Sequence, residues 1–120
     1  LAIIIIMEEI KQARASKSKK TLDIYQRATV RDEIARKLLL NEMSLGQALK
    51  YLRLHLLAMK QERYAEIVKV SRKTLSDLEN DKGNYSIDII NQVLRPFELQ
   101  LGVVPMNKTL LRQVLNEQAV

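Results

Sequence analysis

Within QERYAEIVKVSRKTLSDLEN, residues 61–80, the polar residues Ser71, Arg72, Lys73, Thr74, Ser76 and Asp77 crowd into positions 71–77. These types in this order supply no nucleophile with a base, but all of them make hydrogen bonds. In the major groove of duplex DNA each has a defined use. Arg72 or Lys73 can donate to guanine O6 and N7, Asp77 can accept from a cytosine amino group, and Thr74 and Ser76 can serve base or phosphate. Gln61, Ser71, Asn80 and Lys82 lie around them where phosphate contacts would set register.

Such residues need a rigid support, and the apolar skeleton of the same stretch provides one. Ala65, at the fifth position, lets two helices cross closely, while Tyr64, Val68, Val70, Leu75 and Leu78 root the second helix on the first. The pattern predicts helices over Gln61 to Val68 and Ser71 to Asn80. Ser71 is a good N-cap, so the positive end of the second helix and its Arg72 and Lys73 project together.

The flanks extend the same architecture. Ser44 with Gln47 forms a capping box ahead of Leu45, Ala48, Leu49, Leu52 and Leu56, which recur on one helical face. Asp81-Lys82-Gly83-Asn84 is a turn by composition, and Ser86 caps a fourth helix carrying Ile87, Ile90, Val93 and Leu94. Pro96 should end that helix by disfavouring helical geometry at Arg95. Beyond it the apolar period becomes two, with Phe97, Leu99, Leu101 and Val103 on one face, which predicts a strand. A lone strand leaves its backbone unpaired, so these residues are expected to pair with their own copy in a dimer. A short helix from about Asn107 closes the chain.

The amino-terminal third is read more coarsely. LAIIIIM is either a short strand pairing in an oligomer or a tail, since Met7 could itself be a start. KQARASKSKK, residues 11–20, is a basic connector that is either a solvated linker or an arm tracking phosphates. TLDIY, residues 21–25, reads as a brief strand, and a Thr29–Asp32 capping box predicts a helix over about 30–42. Leu38, Leu39 and Leu40 cannot all face one core, so part of that helix should meet another chain or the domain behind it. The expected organisation is an extension over 1–43, a helix-turn-helix domain over 44–96 and a dimerisation segment over 97–120.

Composition supports an all-α fold: among 120 residues Gly is 3, Pro is 2, aromatics are 4% and apolar residues 47%. With Cys 0 and His 1, neither disulfides nor a cysteine or histidine metal site is expected, and His55 reads as a boundary residue. No cofactor is expected, and the absence of a Gly-rich phosphate loop or a nucleophile with its base argues against an enzyme. The apolar run is too short to span a bilayer and lacks basic residues before it, so a cytoplasmic, nucleoid-associated location without membrane contact is expected. A net charge of +6 is compatible with an anionic partner and decides little alone.

From LGQALKYLR through QERYAEIVKVSRKTLSDLENDKG to SIDIINQVL, over about 45–104, the chain resembles the Cro/CI (Xre) family of helix-turn-helix regulators. The succession LENDKGNYSIDIINQVLRPFELQLGVV is further similar in layout to HipB-like antitoxins. The resemblance implies a lambda-repressor-like domain of four to five helices and a homodimer on a palindromic DNA operator. It also implies repression of a small operon, with a toxin as partner in the antitoxin case, and contacts by Gln61, Arg72, Lys73, Asp77 and Asn80. Arg53 and Glu79 form a partly buried pair in this reading, or else remain separate surface charges. Family members commonly carry Gly at the ninth position of the motif, where this chain has Lys69. A helix-turn-helix that neutralises a protein partner through residues 30–43 without reading DNA is the alternative.

Overall fold

The computed structural model describes residues 23–117. The expectations for LAIIIIM, for KQARASKSKK and for the first residues of TLDIY lie outside them. The described residues form six α-helices and one 3-10 turn: α1 Ile24–Leu39, α2 Leu45–Leu56, α3 Gln61–Val68, α4 Arg72–Glu79, α5 Ile87–Leu94, the 3-10 turn Arg95–Phe97 and α6 Lys108–Glu117. The all-α expectation holds among these residues.

Helix α1 corrects the sequence reading at both ends. Its start is set by a capping box of Asp23 and Gln26, in which the Gln26 N–H donates to Asp23 Oδ1 at 2.7 Å and the Asp23 N–H donates to Gln26 Oε1 at 3.1 Å. Thr29, expected to open the helix, instead donates its hydroxyl to the Tyr25 carbonyl at 2.9 Å within it, so residues 24 and 25 are helical and not part of a strand. The helix ends at Leu39, with Asn41 left-handed at φ 57°. That early stop lets Leu40 turn inward to full burial while Leu38 packs on the core from the last turn, leaving Leu39 as the exposed member of the three leucines.

Val30 and Ile34 of α1 share one core with Leu49, Leu52, Tyr64, Leu75, Val93 and Phe97. The divisions expected at 43/44 and 96/97 are therefore not divisions of the packing. Tyr64 lies at the centre, stacked on Phe97 with ring centroids 5.7 Å apart and donating its hydroxyl to the Val93 carbonyl at 2.5 Å. Burial, and then the nearby Glu79 carboxylate, push that phenol well above its ordinary pKa, so it stays a donor.

The strand expected over Phe97 to Val103 is not formed. Arg95 keeps right-handed helical geometry in front of Pro96, and the chain passes directly into the 3-10 turn and then into left-handed Glu98 at φ 59°. This geometry swings Phe97 into the core and Leu99 against it, so the alternating pattern records inward packing by its first members. Leu101, whose N–H donates to Asn91 Oδ1 at 2.8 Å, and Val103 remain exposed.

Helix α2 approaches the end of α4 at Gly46. A Cβ there would stand 2.6 Å from the carbonyl oxygens of both Leu78 and Glu79. Asp81 completes the junction, accepting from the Gly46 N–H at 2.8 Å and the Ser44 hydroxyl at 2.6 Å. Because the obstruction is backbone, Gly46→Ala is expected to cost about 1–3 kcal/mol, the usual penalty of overpacking, despite alanine's better helix propensity. Urea unfolding of the two proteins checks this; an unchanged or raised midpoint would contradict the close approach.

Candidate nucleic-acid interface

The site is built on α3, the turn after it and α4. Helix α3 ends because Lys69 is left-handed, with φ 60° and ψ 43°, the conformation that glycine adopts most easily. Lysine is held there by the surroundings. The Val70 N–H returns to the Ala65 carbonyl at 3.1 Å, and Gln92 of α5 donates to the Val68 carbonyl at 2.6 Å and to that of Lys69 at 3.3 Å. Ser71 then caps α4, accepting from the Thr74 N–H at 3.0 Å. Ala65 is buried at the crossing, and Leu75 and Leu78 face the core.

The C-terminal end of α4 is fixed by a desolvated ion pair. Arg53 Nε donates to Glu79 Oε2 at 2.6 Å and Arg53 Nη2 to Glu79 Oε1 at 2.8 Å, with side-chain exposures of 5% and 1%. The same guanidinium donates to the Met59 carbonyl at 2.6 Å, and Gln61 donates to Glu79 Oε1 at 3.0 Å. One carboxylate thus joins α2, the entry to α3 and the last turn of α4. The structure supports the pair over separate surface charges, and buries it almost completely rather than partly.

The opposite end of α4 is open. Arg72 is exposed, with only a 4.0 Å approach to the equally exposed Glu62, and the Lys73 side chain is 84% exposed. Lys69 and Ser71 are exposed beside them and Lys82 beyond the far end of the helix, while Thr74 and Ser76 are half-buried. The structure brings Arg72, Lys73, Thr74, Ser76 and Asp77 onto one short helix.

Several of the expected contacts are already engaged within the chain. Gln61 is directed at Glu79, so its amide supports the ion pair before it can serve a phosphate. Asn80 folds back to donate to the Ser76 carbonyl at 2.8 Å and acts as the terminal cap of α4. The Ser71 hydroxyl donates to Thr74 Oγ1 at 2.9 Å. Asp77 Oδ2 accepts from the Tyr85 hydroxyl at 2.7 Å and from Lys73 Nζ at 3.2 Å. The Tyr85 bond first, and the Lys73 bond after it, hold the Asp77 carboxyl below the usual carboxylate range. The same contacts push the Tyr85 phenol and the Lys73 ammonium up.

Tyr85, Gly46, Asp81 and Gln92 were not singled out by sequence as positioning residues. Gly46 alone carried a local signal, since glycine in the first turn of a capped helix weakens it unless a close approach requires it. Among the described residues no group of three or more His, Cys, Asp or Glu could hold a metal ion, and no helix is long and apolar enough to cross a membrane.

Comparison with known proteins yields a family model described as helix-turn-helix, matching residues 49–103. These residues run from within α2, through α3, the left-handed turn and α4, to just beyond the 3-10 turn. No curated protein and no solved structure gives a match.

Two expectations follow. Arg53→Ala or Glu79→Ala leaves a buried charge without its partner and should cost about 3–5 kcal/mol, whereas Arg53→Met combined with Glu79→Leu, which removes both charges, should cost much less. Urea denaturation of the three variants decides it, and single losses below the double loss would contradict the pair's desolvation. Below about pH 4, the unfolded carboxylate range, stability should decline as Asp77 is protonated. Its folded pKa is depressed, so its contribution is present above that range and lost as pH falls through the folded value. Asp77→Asn should flatten this acid decline in unfolding midpoints; an identical slope would show that Asp77 does not contribute.

Proposed function

We propose that this chain, whose residues 49–103 match a helix-turn-helix family model, is a sequence-specific DNA-binding repressor that reads the major groove with α4 and catalyses no reaction. The observation that supports the reading is the asymmetry of α4. Its C-terminal turn is locked to α2 by Arg53 and Glu79, while Arg72 and Lys73 protrude from its N-terminal turn. In this reading Arg72 and Lys73 meet base edges, Thr74 and Ser76 meet base or phosphate, and Ser71 and Lys82 flank them on the phosphates.

The proposal includes a dimer acting on chromosomal DNA in the cytoplasm, on a palindromic operator with half-sites about 34–36 Å apart. Leu101 and Val103 support the dimer, because both apolar side chains are exposed. Leu101 also borders an apolar groove formed with Leu39, Leu45, Leu94 and Leu99. The strand that the alternating pattern over Phe97 to Val103 suggested, and that HipB-like antitoxins would share, is not formed among the described residues, so an antitoxin role is a separate reading. Co-purification of a neighbouring gene's product tests it.

Gel shifts on the DNA upstream of the chain's own gene should show affinity that falls steeply with salt. Arg72→Ala should cost about 1–3 kcal/mol on the preferred sequence and relax that preference. Equal losses on preferred and random duplexes would contradict base reading, and no shift at all would favour a protein-interaction module. Leu101→Asp should sediment as a monomer and bind the operator weakly; an unchanged sedimentation mass would remove that residue from the dimer contact.

A further inference from the structure

We infer that Tyr85 is a positioning residue for base reading: from the loop after α4 its hydroxyl orients the Asp77 carboxylate beside Lys73, so that Asp77 accepts from the amino group of one cytosine. The inference rests on the proposed reading of DNA by α4. Both the Tyr85 and the Lys73 bonds fall on Oδ2 of Asp77, so Oδ1 is the oxygen left for a base amino group. The lysine alone is a poor director. A solvent-facing pair one helical turn apart is weak and readily rearranged, whereas a short hydrogen bond from a hydroxyl to a carboxylate is strong and directional.

Tyr85 can direct because its own ring is held. The ring is half-buried and packs on the core from the loop. It also lies against the backbone at Gly83, which has φ 82° and where a Cβ would stand 2.5 Å from Tyr85 Cε2. Core, ring, hydroxyl and carboxylate thus form a chain of supports ending at the major-groove face, the arrangement by which a second layer of residues fixes the one that touches the ligand. The lowered pKa of Asp77 keeps the group ionised, as an acceptor of an amino group must be. A carboxylate held this way repels the carbonyl acceptors of guanine and thymine.

The test uses the full chain as wild type, Tyr85→Phe, Asp77→Asn and the double variant. Each is taken through selection from a random duplex pool, measurement of affinity for selected and random duplexes, urea unfolding, and carbon NMR titration of the Asp77 carboxyl. Tyr85→Phe should move the Asp77 titration up toward the usual carboxylate range and lower the cytosine preference at one position about fivefold or more. Asp77→Asn should lower the same preference, and the double variant should lower it no further. An unmoved titration, an unchanged preference, or losses that are equal on selected and random duplexes would overturn the inference while leaving DNA reading in place. A wild type that selects no sequence would overturn DNA reading itself, and this inference with it.

Discussion

The buried contact between Arg53 and Glu79 is the constraint on which the arrangement of α4 depends. Two nearly fully desolvated side chains meet in a bidentate pair, to which the Met59 carbonyl adds a further acceptor for Arg53 and the Gln61 amide a further donor for Glu79. Such a pair adds little net stability over an apolar one of the same shape, because desolvating both charges offsets most of their attraction. What it adds is direction. Leucines can slide against one another, but a guanidinium fork accepts a carboxylate in few orientations, which fixes the last turn of α4 against α2. Gly46 brings the same turn into backbone contact with α2, and Asp81 bonds the residues just beyond it to the start of α2.

Anchoring at one end leaves the other free to be presented. The N-terminal turn of α4 follows a turn in which Lys69 holds a left-handed conformation that costs a non-glycine residue about 1 kcal/mol or more. Gln92, bonded across to the carbonyls of Val68 and Lys69, stiffens that turn from α5. The polar residues of α4 and around it then divide by what they touch. Ser71 and Asn80 close the ends of the helix, Gln61 supports the ion pair, and Asp77 is held by Tyr85. Arg72, Lys73 and Lys82 keep their charge on the exposed surface, where association with a polyanion would draw on it.

The parts of this arrangement that were legible in the sequence are those coded by neighbours in the chain. Ser44 with Gln47, Ser71, Ser86 and the apolar period gave the helices from α2 to α5 nearly to the residue, because caps and periodicity are local. Thr29 with Asp32 pointed to the wrong start of α1: Asp23 with Gln26 forms the capping box, and the Thr29 hydroxyl instead bonds back to the Tyr25 carbonyl inside the helix. At Phe97 to Val103 an alternating pattern stood for two different geometries, and stacking on Tyr64 selected the turn. The contacts of Gly46 with Leu78 and Glu79, and of Tyr85 with Asp77, depend on where the chain returns in space, which no local pattern encodes.

The central claim is that α4, rooted at Glu79, presents its N-terminal turn to DNA. The most direct test is a nitrogen–proton NMR titration of the full chain with a selected duplex. The largest shifts are expected at the backbone and side chains of residues 71–77, with the Arg53 guanidinium resonances unmoved because that contact already exists in the free protein. Shifts that leave 71–77 untouched and gather on the exposed apolar residues Leu101, Val103, Val104, Met106 and Leu110 would contradict the account.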